Sequence, residues 1–409
     1  QACRRTTPCS GRAASDAPLK VTVRRIRPLS GAGFAGARRC LLPDSRLRPV
    51  TIEKLGKAVF PSLAMLAGME LDVFTPLGNG PLRAGEIADA LDVSREKIGP
   101  LLYALVAAGL LRQEGDRFAN SREADHFLVR GRPSYLGGRG SFYRARWGEA
   151  LQTAASIRTG LPQAKIDFTA MSPNERESLY KGLHDGAMQA GRDLVKIHDF
   201  TSCQLLLDVG GGSGGLALPI TQAHPHLRAV VVDLPSVTPV AKRFVEAAGA
   251  QGRVEVIAAD PVREPLTLPC DVAIMRAFLQ VLSREAAAQA LRNVAAAVKP
   301  GGVIFIMGSG ILDDSRVSPV EVVSFNLVFV NIYDQGQAYT ESEHRQWLAD
   351  AGFGTFERIA VGGGTNVIKA TRSAYPGVRC RMIDCAGTSR PGDAPGTTSP
   401  GTAPPMTNR

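Results

Sequence analysis

No stretch of the sequence approaches the ~18 consecutive apolar residues that a membrane-spanning helix needs, so no membrane association is expected. Cysteine is scarce where a disulfide framework or a metal site would need it. Of 7 cysteines, Cys3, Cys9, Cys40, Cys380 and Cys385 lie near the two ends, and Cys203 and Cys270 stand in no metal-ligand spacing. That pattern offers no metal site and makes a reduced, cytoplasmic setting the expectation. Acidic residues are nearly missing from the first fifty positions, where ten arginines and Lys20 face only Asp16 and Asp44. Residues 373–409 likewise hold four arginines against two aspartates. The formal charge of +10 would call for a polyanionic partner if it covered a folded surface. It sits in the tails instead, the segment between them is close to neutral, and the case for nucleic acid disappears. Residues 1–50 also lack a helical or strand period. They read as a disordered basic tail without the apolar core of a secretory signal, and their Arg-rich character fits a transit segment or an extended reading frame.

What the sequence does have is enough length for two or three domains and an ordinary 44% hydrophobic content. A helical period begins near residue 51. Gly80-Pro81-Leu82 introduces an amphipathic segment over 84–91, Ser94 is placed to cap a second helix reaching to about Leu110, and Gly115-Asp116 centres a hairpin over 112–118. Residues 51–136 thus describe a winged helix. Its second helix carries Ile98, Leu101, Leu102, Leu105, Val106 and Leu110 with few cations, which fits a core or a dimer interface better than a DNA groove. Residues 137–200 look helical. Over 201–372, strand-like runs at 204–209, 228–233, 254–259, 271–275 and 303–307 alternate with helical stretches, the pattern of a doubly wound α/β sheet. Runs at 355–361 and 365–371, separated by Gly362-Gly363-Gly364, add a final antiparallel hairpin. The last 37 residues, 373–409, read as a disordered tail.

The densest information lies in Leu205-Leu206-Leu207-Asp208-Val209-Gly210-Gly211-Gly212-Ser213-Gly214-Gly215, a buried strand entering a glycine-rich turn. Gly210, Gly212 and Gly215 satisfy the G-x-G-x-x-G dinucleotide pattern, and Asp233 ends the second strand near the offset expected for a ribose contact. A nicotinamide dehydrogenase is therefore one reading. Asp208 argues against it, because a carboxylate beside the loop would repel a pyrophosphate, whereas S-adenosylmethionine has no phosphate and carries an ammonium and a sulfonium. Asp260, ending the third strand, can accept from an adenine amine, and Asp233 can accept from both ribose hydroxyls. Three acids at consecutive strand ends then face one crevice.

These residues, with Val232-Asp233-Leu234-Pro235, Ala259-Asp260-Pro261, Lys299-Pro300-Gly301-Gly302 and Trp347-Leu348-Ala349-Asp350-Ala351-Gly352-Phe353, resemble a known family over about residues 55–372. It is the S-adenosylmethionine-dependent small-molecule O-methyltransferases of plants and bacteria, which have an N-terminal winged-helix dimerisation domain and a Rossmann-like catalytic domain. The resemblance implies that Gly210 contacts the donor, that Asp233 and Leu234 meet its ribose and adenine, that Asp260 and Pro261 flank the adenine, and that Arg276 adds a contact. It also implies a homodimer and a pocket for a small-molecule acceptor roofed by the helices of residues 137–200 and 318–332.

One departure affects the mechanism. Four residues beyond Arg276 the family has a His-Asp pair whose imidazole removes a phenolic proton, and here Gln280-Val281 stands in that place. An amide takes no proton at neutral pH. The acid usual at the end of the fifth strand is also replaced, with Gly308 near that position. Base catalysis contributes ~10²–10⁴-fold and alignment ~7–11 kcal/mol, so methyl transfer survives the loss. The acceptor ionises unaided, or is a carbon or an unusual hydroxyl, or finds another base, for which His184 in Tyr180-Lys181-Gly182-Leu183-His184-Asp185 is the nearby candidate. A regulatory protein that binds the donor without catalysis is a further alternative. Deleting residues 1–50 and 373–409 should leave donor binding and folding intact, because neither segment has the periodicity to join a core; loss of the folded protein on gel filtration of the truncated chain would contradict this.

Overall fold

The computed structural model describes residues 47–362 and 365–374. The expected tails therefore lie outside the described residues except at their inner edges, as do Gly363 and Gly364 of the hairpin turn. The chain divides into two units between Lys57 and Ala58. In the first, α1 (Val50–Lys57) has Glu53 in its first turn and Lys54 and Lys57 in its last, a charge order that suits the helix dipole. It buries none of its residues. The period read from residue 51 thus marks a helix but not yet a core.

The second unit opens with α2 (Val59–Glu70), β1 (Leu82–Arg83), α3 (Ala84–Leu91), α4 (Arg95–Ala107), β2 (Leu111–Glu114) and β3 (Arg117–Asn120). The three strands form an antiparallel sheet with β3 in the centre, and Gly115 turns β2 into β3 at φ 65°. This is the winged helix read from the sequence. Ser94 stands at the α4 N-cap, although its hydroxyl caps nothing. Ile98, Leu102 and Leu105 of α4 join Phe74, Ile87 and Phe118 in one buried cluster. The apolar face of that helix is thereby committed to the domain's own core.

After α5 (Arg122–Phe127) come α6 (Arg139–Ala150), α7 (Thr153–Thr159) and the long α8 (Pro173–Ile197). The sequence Ser172-Pro173-Asn174-Glu175 starts α8 with a capping box, in which the Ser172 hydroxyl accepts from the Glu175 amide and the Glu175 carboxylate accepts from the Ser172 amide. The remaining elements are β4 (Leu205–Val209), α9 (Ala217–Ala223), β5 (Arg228–Asp233), α10 (Thr238–Ala247), β6 (Val254–Ala258), β7 (Cys270–Arg276), α11 (Arg284–Ala295), β8 (Val298–Gly308), β9 (Ile311–Leu312), α12 (Val320–Ile332), β10 (Tyr339–Thr340), α13 (Glu341–Asp350), β11 (Phe353–Gly362) and β12 (Thr365–Arg372).

Seven strands form one sheet in the order β11-β12-β8-β7-β4-β5-β6. Strands β4 to β8 run parallel, and β12 and β11 close one edge antiparallel. Because the parallel strands are covered on both faces, their residues are apolar almost throughout: Ala229, Val230, Val231 and Val232 are all buried. One face packs on α11 and α13 through Leu291, Val294 and Leu348, the other on α8, α9 and α10 through Leu194, Ile220 and Val245. β8 begins at Val298 rather than near 303, since Val298 pairs with Cys270 before the register shifts. The parallel pair of β9 and β10 went unread in the sequence, each strand being two residues long and too short to show a period.

The approach of α8 to α9 is set by a missing side chain. A Cβ on Gly191 would run into the Leu216 carbonyl oxygen and lie 2.5 Å from Pro219 Cγ. Gly191→Ala should therefore push α8 outward and destabilise the protein by about 1–3 kcal/mol in urea unfolding; an unchanged midpoint would show that the two helices tolerate the separation.

Candidate active site

The order β5-β4-β7 makes the connections from β4 and β7 diverge, which opens a crevice beyond the carboxyl end of β4. There the chain turns through Gly210 and Gly212 at φ 67° and 58°, in the left-handed region open to glycine. Both need the missing Cβ for space as well: one on Gly210 would strike the Phe278 ring, and one on Gly212 would lie 2.6 Å from Tyr180 Cε1. The amides of the loop are engaged within the protein. Gly210 donates to the Val232 carbonyl at 2.8 Å and Gly214 to the Gly211 carbonyl at 2.9 Å. Gly215 donates to Ser213 Oγ at 3.3 Å. Gly212 donates to Asp233 Oδ2 at 2.8 Å. A carboxylate of the protein itself thus holds the amide at the centre of the glycine pattern, where a pyrophosphate would have to bind.

Asp233 Oδ1 accepts from the Leu234 amide at 2.8 Å, so both oxygens are aimed by backbone and each keeps a lone pair for a ligand. Burial pushes its pKa up to about 6, against the pull of those two amides. Asp208 lies deeper, 1% exposed, with its carboxyl beneath Gly211. Its oxygens lack a well-formed hydrogen bond and feel only a weak pull from the Ala217 amide. Burial pushes Asp208 up to about 7, an effect that Arg276 opposes and Asp233 reinforces. Asp260 accepts from the Val262 amide at 3.0 Å and pairs with Arg263 at 3.3 Å, so it orders the turn after β6. Pro261 is buried there, its carbonyl accepting from Asn293. Leu234 packs with Tyr180, Val237 and Val240.

On the other side of the crevice, β7 ends in Arg276, whose pKa burial lowers. The next residue, Ala277, is held at φ 52°, an unusual conformation for a residue with a side chain. That turn carries Phe278 over Gly210 and leads into the short helical turn of Leu279–Val281. Gln280 is 8% exposed, its side chain against Gly310, and its amide meets no hydrogen-bond partner among the described residues. His184, the candidate base, reaches the glycine loop. Its Nδ1 lies 2.9 Å from Ser213 Oγ and its ring stacks on Phe244 at 4.4 Å, so it braces the glycine loop. Burial lowers its pKa.

Comparison with known proteins matches residues 55–130 to the O-methyltransferase dimerisation domain and residues 156–354 to the O-methyltransferase domain. The chain is 30% identical over 331 residues to the tetracenomycin polyketide synthesis 8-O-methyl transferase of Streptomyces glaucescens, covering 79% of this chain and 97% of that protein. The chain belongs to the S-adenosylmethionine-dependent O-methyltransferase family. It is also 29% identical over 320 residues to the 3-hydroxy-5-methyl-1-naphthoate 3-O-methyltransferase of Streptomyces sahachiroi, covering 76% of this chain and 91% of the relative. The structure of human N-acetylserotonin methyltransferase in complex with SAM shares the fold, with a TM-score of 0.68 at 21% identity over 80% of this chain and 99% of that one.

The residues of this methyltransferase fit a donor without phosphate, because the glycine loop is closed by a carboxylate and a second acid lies beneath it. Among the described residues no helix is long and apolar enough to cross a membrane, and no cluster could hold a metal ion. Three loop contacts escaped the sequence reading: Tyr180 and Phe278 against the glycines, and Ser213 against His184. The first carried a signal, since Tyr180, His184 and Ala187 recur at helical spacing on one face of α8. Asp208 provides a test. Its folded pKa of about 7 stands above the ~3.9 of an unfolded aspartate, so ionisation in the folded state subtracts stability as pH rises from 4 to 7. Asp208→Asn removes that penalty, and the stability of the variant relative to wild type should rise by ~2 kcal/mol between pH 5 and pH 8. A difference that stays flat with pH would place the carboxyl in water.

Proposed function

We propose that this protein moves the methyl group of S-adenosylmethionine to a hydroxyl of a small aromatic or polycyclic metabolite, as a homodimer in the cytoplasm. The observation that carries the reading is the bond from the Gly212 amide to Asp233, 2.8 Å long. It spends the loop amide that a dinucleotide phosphate would use and points a carboxylate at the place of a ribose diol. Asp233 and Leu234 hold the ribose and adenine, Asp260 and Pro261 border the adenine, and Gly210, Gly212 and Arg276 line the rest of the donor site. When bound, the donor supplies a methyl group on a sulfonium. The names of the two Streptomyces relatives point to fused-ring aromatic acceptors. Such rings suit the aromatic groups Phe142, Tyr180, Phe325 and Phe329 on α6, α8 and α12, and Tyr333 just past α12.

The homodimer draws support from α2, where Val59, Phe60 and Leu63 are 47%, 61% and 44% exposed on a matched dimerisation domain. A reduced compartment is supported by the free thiols of Cys203 and Cys270.

The chain's own residues do not remove the acceptor proton in the family's way. Gln280 can orient a hydroxyl by donating or accepting, but takes no proton, and His184 is committed to Ser213. The acceptor oxygen is therefore one that loses its proton readily. Labelled-methyl transfer to phenols of graded acidity should show wild type favouring the acidic ones, and Gln280→His should flatten that preference by tenfold or more on phenols of high pKa. Transfer to none of the phenols, with transfer to ring carbon instead, would overturn the O-methyl reading. Equal slopes in an active variant would remove residue 280 from the acceptor.

A further inference from the structure

Two guanidinium groups converge on one small patch of α8. Arg139 opens α6 and Arg276 closes β7, and a Cβ built on Gly186 would lie 3.4 Å from an Nη2 of each. The glycine leaves room for both. Met275 pairs with Val209, and Arg276, paired with Met307 as the last residue of β7, lies beside Gly210 and the crevice. Both arginines are only partly buried, and neither makes a hydrogen bond or ion pair with any described residue. This sets them apart from Arg83, Arg95, Arg117, Arg130, Arg132 and Arg144, each of which has a carboxylate partner. Asp185 lies by Gly138 without pairing to either arginine, and Asp208 acts on Arg276 only through space.

Two like charges held together in a half-buried place repel each other, and such an arrangement calls for an anion between them. The loop beside them is closed by a carboxylate, which disfavours phosphate. A guanidinium fork matches a carboxylate with two parallel N–H···O bonds. We propose that Arg139 and Arg276 form a two-point clamp for a reactant carboxylate, either that of the methyl donor's amino-acid end or that of an aromatic acid acceptor. The clamp rests on the methyl-transfer reading and extends it to a residue on α6, a helix outside the glycine-loop constellation.

The test uses the full chain and Arg139→Gln, with two pairs of ligands. Binding of S-adenosylhomocysteine and of 5′-methylthioadenosine, which lacks the amino acid, is measured by calorimetry. KM is measured for a hydroxynaphthoic acid and for its methyl ester. If the donor fills the clamp, the variant loses about tenfold in affinity for S-adenosylhomocysteine and less than about twofold for methylthioadenosine. If the acceptor fills it, S-adenosylhomocysteine is unaffected and KM rises about tenfold for the acid alone. Either result supports the clamp. Equal losses within a pair, or no loss in either, overturn it. Arg139→Lys, which keeps the charge without the fork, should lose less than Arg139→Gln with the same selectivity, and it serves in its place if that variant does not fold. Failure of the wild type to bind S-adenosylhomocysteine at all would instead overturn the methyl-transfer reading, and the clamp with it.

Discussion

The site depends on one hydrogen bond, from the Gly212 amide to the Asp233 carboxylate. It ties the turn after β4 to the end of β5 and fixes the loop in a shape that only residues without a side chain at 210 and 212 can take. It also takes a charged group out of water, which raises the pKa of Asp233, so the carboxylate stays ionised only with the help of the Gly212 and Leu234 amides. Asp233 in turn adds to the pressure that burial puts on Asp208 beneath the loop, and Arg276 offsets part of that. The acids and the arginine act on one another as a single electrostatic unit.

The helices above the sheet complete the arrangement. α8 reaches the loop because Gly191 lets it settle on α9, and in that position Tyr180 covers Gly212 while His184 holds Ser213. α12 is tied to α7 by Asn331, which accepts from Ser156 and donates to Thr153. Such buried polar links give α12 a definite position, since an unpaired amide there would be costly. Gln280, whose amide lacks such a partner, stands out against this background.

Much of this was legible in the sequence. The repeated pairing of apolar runs with amphipathic helices placed β4 to β7 within a residue or so, because strands buried on both faces admit little but Val, Ile, Leu and Ala. The glycine pattern and Asp233 were visible because left-handed turns and strand-end carboxylates limit which residue types can serve. The family followed from those motifs taken together, and the matches over residues 55–130 and 156–354 bear it out.

What only the tertiary structure decided concerns partners that are distant in sequence. Nothing at position 184 announces that its imidazole meets Ser213, because that depends on how α8 lies across the loop. Nothing at 208 announces that the carboxyl is buried without a proper partner. Arg139 reads as one more cation at a helix start until Gly186 is seen to hold it beside Arg276. Local periodicity and residue type determine strands, helices and the loop, since those rest on neighbours in the chain. Protonation, pairing and orientation rest on neighbours in space, and the sequence alone does not supply them.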